Sequence, residues 1–443
     1  MTKEEIILAN KEYLFPAVFH FFQEPLVGRA RQGPIRLGRP MAANISTSLA
    51  VSSRQRGPLQ RTGERQSQAA DGQRCSTSRP SSPTNRRRRW RRKIASLTPG
   101  RQLTKSFFTN SGTEANETAI LAARCYTGNT EIVALRHSYH GRSAAAMTLS
   151  GQGAWRLGPS QAGVVHAHNA YCYRCPFGLT YPSCEVRCAQ DMEDLIRTST
   201  SGADRRLYRR AHPGSRRLYH AAQRVLPDRR EDRAQSRRYF HISDEVQTGW
   251  GRTGGKWFGI EQWGVTPDVM TCAKGLGNGA PIGLTAARPE VADSVRGLTI
   301  STFGGNPVVA TAAKAVIDYI EEMNLQPTAK RPARTCEIAC SELQKRHSIV
   351  GDVRGMGLLQ AIELGEDRQT KTPAAAATAR LMEACPRRGT ASRQGRNVWQ
   401  RAPLLPAHEH QPHRCRPLLR HARQGARKRV GRRRREGSGD ARA

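Results

Sequence analysis

Acidic residues are scarce in this chain. Its 443 residues carry 36 aspartates and glutamates against 72 lysines and arginines, a formal charge of +36. Long apolar runs are absent: nothing approaches the about 18 consecutive apolar residues of a membrane-spanning helix, so no membrane partner is expected. The N-terminus, MTKEEIILANKEYLFPAVFHFF, has acids where a secretory leader wants basic residues, and no small-residue cleavage site follows an apolar core. Aromatics make up only 6% of the chain. The interleaved rings that a basic nucleic-acid surface uses for base stacking are therefore few, mainly Trp90, Tyr208, Tyr219 and Tyr239. The eleven cysteines are scattered rather than arrayed as a small disulfide scaffold, which fits a reducing compartment. The expectation is a cytoplasmic protein, long enough for a sizeable core and more than one domain.

Two kinds of text alternate. Residues 1–25, 94–200, 241–325 and 348–385 read as ordinary globular sequence, with mixed charge and apolar periodicity. Between and after them lie Arg-rich blocks such as "TNRRRRWRRK" and "ADRRLYRRAHPGSRRLYHAAQRVLPDRREDRAQSRR". These blocks offer little periodic apolar surface to offset chain entropy. Solvated arms, nucleic-acid-binding arms and out-of-frame translation all compete to explain them. The abrupt switches, as from "QSRRYF" to "HISDEVQTGWGRTGG", favour the last.

Candidate chemistry sits in the globular text. "SFFTNSGTEANETAILAARCY" reads as a short strand with Phe107 and Phe108, a turn at Asn110–Gly112, and a helix with an Ala115, Ala119, Ile120, Ala123 stripe. Ser111 or Thr113 can cap that helix. Gly112 allows a close approach to the first-turn N–H groups, which suit an anion; a plain capped helix fits the same residues. "LRHSYHGRSAAAMTLSG" places Tyr139 and His140 in a turn after a strand, as stacking face or as core packing. "FHISDEVQTGWGRTG" is a buried strand ended by acids, where α/β proteins contact ligands and where an isolated Asp more commonly caps or pairs. "DVMTCAKGLGNGAPIG" closes an apolar run on one lysine, Lys274, which either snorkels to solvent or does covalent work. An anion-binding helix start, an aromatic turn, a strand-end acid and a lysine are together what pyridoxal phosphate needs.

The motifs "FFTNSGTEANETA", "SYHGR", "ISDEVQTGWGRTGGKWFG", "PDVMTCAKGLGNGAPIG", "STFGGNPV" and "VRGMGLL" stand in the order and spacing of class III aminotransferases. The chain most resembles the alanine–glyoxylate and 4-aminobutyrate branch. That resemblance implies an α/β fold type I transferase dependent on pyridoxal 5'-phosphate, with a large domain built on a mostly parallel central sheet and a small α+β domain. It implies an N-terminal segment over 1–93 (anomalous over 26–93), a cofactor-binding large domain over 94–310 (anomalous over 203–240) and a small domain over 311–443 (anomalous over 386–443). It implies ping-pong transamination between an amino acid or ω-amino acid and a 2-oxo acid, in a homodimer with a shared site. Lys274 is then the Schiff-base lysine and proton carrier, and Asp244 keeps the ring nitrogen protonated. Gln247 bonds the ring hydroxyl, Ser111, Gly112 and Thr113 cup the phosphate, Tyr139 stacks on the ring and His140 lies beside it. Thr302 reaches the phosphate of the partner subunit.

The family pattern fails in three places. Residues 26–93 lack its Asp- and Gly-bearing stretch, residues 203–240 lack its Glu-Pro strand, and "NVWQRAPLLPAHEHQPHRC" replaces its carboxylate-binding Arg strand, so that role is not carried to Arg401. Two core strands and a small-domain sheet are thereby expected to be missing or unsatisfied, which leaves an aminomutase or an inactive, frame-damaged homologue as alternatives. A basic nucleic-acid-binding protein ranks last. Cys172, Cys175, Cys184 and Cys188 have the makings of a thiolate metal site, yet the gap between the pairs is shorter than in zinc ribbons and the stretch resembles a loop of this branch, so no metal is assigned.

Overall fold

The computed structural model describes residues 85–200 and 239–387, with short strand segments at 31–32, 36–38, 44–47, 207–210, 390–391 and 401–404. The chain divides into two compact units: Ser52–Lys330 with Gly355–Gly357, and Met1–Val51 with Arg331–Arg354 and Leu358–Ala443.

The first of these carries a seven-stranded sheet. Its strands in chain order are β1 (Lys105–Thr109), β2 (Ile132–Leu135), β3 (Val164–Ala167), β4 (Leu207–Arg210), β5 (Tyr239–Asp244), β6 (Val269–Cys272) and β7 (Gly283–Ala287). In space they run β1-β7-β6-β5-β4-β2-β3. β7 pairs antiparallel with both β1 and β6, while the pairs from β6 to β3 are all parallel. Parallel strands need both faces covered, and the sequence supplies this: every residue of β2 and β6 is buried, as is every residue of the antiparallel β7 beside β6.

Helix α1 (Asn85–Leu97) contains the run RRRRWRRK, although its composition is that of the Arg-rich blocks. The periodicity is local to one face. Trp90 and Ile94, four residues apart, are buried, and the Trp90 ring stacks at 6.3 Å on Phe108, while Arg91 and Arg92 are exposed. Trp90 is thus a core residue rather than a base-stacking platform.

Helix α2 (Gly112–Thr127) follows β1 directly and buries the expected Ala115, Ala119, Ile120 and Ala123 stripe. Ser111 is its cap, accepting from the Glu114 N–H, and the Glu114 carboxylate returns to the Asn110 N–H at 2.9 Å, a reciprocal arrangement that fixes where the helix starts. The core beneath the sheet is made of Trp250, Phe258, Met270, Leu276, Leu284 and Ile317, the last from α3 (Pro307–Glu322). Each such side chain contributes roughly 1.5–3 kcal/mol by leaving water, so a charge at Met270 or Leu284 breaks the sheet that carries the site.

The other unit holds β8 (Val350–Met356) as far as Arg354, with β9 (Leu359–Leu364) and β10 (Arg401–Leu404), and β9 and β10 are antiparallel. Cys336, Cys340, Val350, Ile362, Leu364 and Ala374 form its core. The buried Arg354 pairs with Glu363 and Asp352. Strands 31–32, 36–38, 44–47 and 390–391 make a separate four-stranded sheet.

Two expectations are corrected here. A strand does occupy the place between β2 and β5, at Leu207–Arg210, and the small sheet does have its third strand, at Arg401–Leu404. Backbone pairing tolerates many side chains, so the Arg-rich text still supplies ladder partners where a motif search finds no match. The rest of the Arg-rich blocks, with Tyr219 and the question of their reading frame, lies outside the described residues.

Candidate active site

The site is built at the C-terminal edge of the parallel strands. Asp244 is the last residue of β5, and its register partner on β6 is Thr271. Lys274 follows on the same chain immediately beyond β6, in the short helical turn Lys274–Leu276. The acid and the lysine therefore leave adjacent strands at one edge, where open α/β sheets bind ligands. Lys274 adopts a φ of 45°, which a side chain with a Cβ rarely takes, and such strain is held in place by a surrounding structure that over-determines it.

Asp244 is buried and held from several sides. Oδ2 faces His140 Nδ1 at 2.8 Å and accepts from Asn116 Nδ2 at 3.1 Å, while Oδ1 accepts the Val246 N–H at 3.2 Å. Asn116 also donates to the His140 carbonyl at 2.6 Å and accepts from the Thr271 hydroxyl at 2.7 Å. His140, Asn116 and Thr271 are all buried. A carboxylate in such a place is stable only because donors surround it.

The neighbouring Glu245 is fully buried and does a different job. It accepts the N–H groups of Gly259 and Ile260, each at 2.8 Å, and the hydroxyls of Ser243 and Thr248. It thus ties the chain after β5 to the start of the Gly259–Trp263 helical turn. Both acids press on Cys272, whose thiol is pushed well above the usual range by burial first and by Glu245 and Asp244 second.

Gly112 brings the helix start to this edge. A Cβ there would meet both methyls of Val246 at 3.1 Å and the Ala273 Cβ at 3.4 Å, so any other residue would press Val246 aside, and glycine keeps the start of α2 close to the chain after Asp244 and before Lys274. Ser111 takes the Glu114 N–H, which leaves the Gly112 and Thr113 N–H groups of the first turn outside the helical ladder. Thr113 Oγ1 in turn accepts the Arg142 N–H at 3.3 Å, joining the cap to the Tyr139–His140 turn. Tyr139 stands edge-on to Trp155, with centroids 5.1 Å apart, and Gln247 is half-buried in the loop after Asp244. Thr302 is exposed in a loop anchored to β1: Asn110 Nδ2 donates to Ser301 Oγ at 3.4 Å, and Gly304 and Gly305 pack on Phe108.

The nine expected positions thus fall into two sets. Lys274, Asp244, His140, Ser111, Gly112 and Thr113 are linked by strand register and direct contacts, with Gln247 in the adjoining loop. Tyr139 and Thr302 reach the same edge through their loops. Asn116 and Thr271 are not among the sequence candidates, and Glu245 is there only as the second acid of the strand end. Its position marks it as an acid of the site edge but not as the clamp of the following loop, and nothing in the text marks Asn116 or Thr271.

A buried, donor-ringed carboxylate, a strand-end lysine and a glycine-opened helix start thus lie at one edge of a largely parallel sheet of the fold type I kind. Residues 66–422 match the family Aminotransferase class-III. The chain belongs to the class III aminotransferase family. It is 41% identical over 291 residues, 66% of this chain and 60% of the relative, to alanine–glyoxylate aminotransferase 2 homolog 2, mitochondrial, of Arabidopsis thaliana. It is 35% identical over 290 residues, 63% of each, to a leucine/methionine racemase of Thermococcus litoralis. A crystal structure of a Bacillus anthracis aminotransferase superposes with a TM-score of 0.83 at 25% identity, covering 96% of this chain and 98% of that one. The chain spans about three-fifths of the length of the curated relatives it matches. Among the described residues no helix is long and apolar enough to cross a membrane.

Cys172, Cys175, Cys184 and Cys188 line one small cavity with Tyr171, Phe177 and Tyr181. Burial, and then the other three cysteines, push the Cys188 thiol up to about 11. Among the described residues no group of three or more His, Cys, Asp or Glu is arranged to hold a metal ion.

Proposed function

We propose that this chain catalyses transamination between an amino acid or ω-amino acid donor and a 2-oxo acid acceptor, of the alanine–glyoxylate or 4-aminobutyrate type. The observation that carries the proposal is the Asp244 carboxylate, held at 2.8 Å from His140 on the strand edge that also delivers Lys274. The cofactor is pyridoxal 5'-phosphate, and the residues fit it: a buried acid for a ring N–H, an amine for a carbonyl carbon, and a helix start opened by Gly112 for a dianion. When bound, it supplies an electron-poor ring that accepts the electron pair of the substrate carbon.

The chain's own residues do the rest. Asp244 keeps a proton on the ring nitrogen, and His140 and Asn116 keep Asp244 in place. Lys274 Nζ is the covalent tether and the base that carries a proton to and from the substrate carbon. Ser111 Oγ and the N–H groups of Gly112 and Thr113 bind the phosphate, Gln247 meets the ring hydroxyl and Tyr139 covers the ring.

A homodimer completes this site. Leu298, Ile300 and Phe303 are all strongly exposed around Thr302, an apolar patch suited to a second copy that receives Thr302 at its phosphate. The proposed compartment is the cytoplasm, supported by the free thiols of the eight cysteines whose side chains are described.

The test uses the purified full chain. It should retain a yellow cofactor through dialysis and transfer an amino group from L-alanine or 4-aminobutyrate to glyoxylate. Lys274→Ala should abolish both the visible band and the transfer. Full transfer by that variant overturns the proposal.

A further inference from the structure

Thr271 and Thr285 sit directly opposite each other in the β6–β7 pair, and both hydroxyls point to helix α2. Their partners differ by one residue and by kind. Thr285 Oγ1 donates to the Ala115 carbonyl at 2.7 Å, an anchoring bond between sheet and helix. Thr271 Oγ1 donates to the Asn116 side-chain oxygen, also at 2.7 Å.

That second bond completes the satisfaction of a buried amide whose orientation is set by its other two partners. With its oxygen on Thr271, Asn116 turns its NH2 group toward two acceptors, Asp244 Oδ2 at 3.1 Å and the His140 carbonyl at 2.6 Å. Rotated by half a turn, the amide oxygen would face both of those acceptors, and lone pairs would oppose each other in a buried place. Only one orientation satisfies both acceptors, and the Thr271 hydroxyl, free to rotate, then donates to the amide oxygen and holds the Asn116 side chain at that position.

We infer that Thr271 and Asn116 are positioning residues, which fix the direction and donor environment of Asp244 and thereby set how tightly the ring of the cofactor is held. This rests on the assignment of Asp244 to the ring nitrogen made above. Neither residue touches a reacting atom. Thr271 acts through Asn116, and Asn116 acts through Asp244 and the His140 backbone. The effect is thus expected in cofactor affinity and in the electronic state of the ring, beyond any effect on folding.

Thr271→Val is close to isosteric and removes only the hydroxyl, and Thr285→Val makes the same change one strand over. Each variant, with Thr271→Ser, is prepared as full-length protein and stripped of cofactor. Affinity for added pyridoxal 5'-phosphate is read by visible absorbance, and the pH midpoint of the bound band is recorded. Thr271→Val should bind about tenfold more weakly and show a displaced midpoint, Thr271→Ser should restore both, and Thr285→Val should match the parent. If Thr271→Val matches the parent, or Thr285→Val changes as much as it does, while Asp244→Asn and Lys274→Ala lose the cofactor, the positioning role is wrong and the site assignment stands. If Asp244→Asn and Lys274→Ala also bind and absorb like the parent, the site assignment fails and the positioning role fails with it.

Discussion

His140 Nδ1 lies 2.8 Å from Asp244 Oδ2, and both side chains are shielded from water. The aromatic turn after β2 is therefore wired to the end of β5 by a charge-assisted contact. His140→Ala leaves the carboxylate one donor short in a buried place, a loss of about 1–3 kcal/mol. The expected outcome is a fall in kcat/KM of roughly 10- to 100-fold, with weaker cofactor retention. Steady-state kinetics and dialysis of the holoenzyme check it. A variant with unchanged retention would show that this contact is incidental to the site.

How far the text foretold this site depends on what each part needs. Lys274, Asp244 and the Ser111–Thr113 helix start stand out as candidates because each sits in a contiguous motif that resembles the class III aminotransferases; taken singly, a surface lysine, a paired acid and a plain helix cap fit the same residues. Asn116 does not stand out. It reads as one polar residue inside a helix, and its meaning comes from Thr271, which only the Asp244–Thr271 strand register brings within reach. Strands β4 and β10 were missed for a related reason: their pairing is a backbone property, and the Arg-rich side chains hid it. Trp90 was misread because composition averaged over RRRRWRRK masks the spacing of Trp90 and Ile94 on one helical face.

Glu245 supplies a stability prediction. Glu245→Ala strips two buried N–H groups, Gly259 and Ile260, and two hydroxyls of their acceptor at once. Leaving such donors unsatisfied costs about 3–5 kcal/mol together, a large part of a typical folding free energy. Urea unfolding of the holoenzyme should show the midpoint moving down accordingly. A midpoint shift near zero would mean that the loop after Asp244 is not clamped by this carboxylate.

Cys188 gives the pH prediction. Burial and the three neighbouring cysteines hold its thiol at about 11, above its ordinary value, so it stays protonated and unreactive near pH 8. Alkylation by iodoacetamide, mapped by mass spectrometry, should mark the exposed Cys125 and Cys172 well before Cys188. The Cys188 rate should climb as pH rises toward 11. The linkage has the matching sign: between the ordinary thiol value and 11 the folded state binds more protons at this site than the unfolded state. This site's contribution to stability is thus full at lower pH and is lost as pH rises through that window. Equal labelling of Cys125 and Cys188 at pH 8 contradicts the burial.

Phe303 tests the shared site. Its ring is 70% exposed, and Leu298 and Ile300 beside it are no less so. A loop this apolar is costly in water and is stabilised when a second copy covers it. Its anchor is rigid, because Gly304 and Gly305 pack against Phe108 so closely that a Cβ on either would collide. The patch is therefore presented in one position, together with Thr302. Phe303→Asp places a charge at the centre of the contact without disturbing that anchor. The parent protein should sediment as a dimer, and the variant's dissociation constant should rise by at least about thirtyfold. Because Thr302 would then be withdrawn from the partner's phosphate, cofactor retention should fall in step with dimer content as the protein is diluted. A monomeric parent protein that keeps its cofactor on dilution removes the dimer from the proposal and leaves the Lys274–Asp244 edge to act alone.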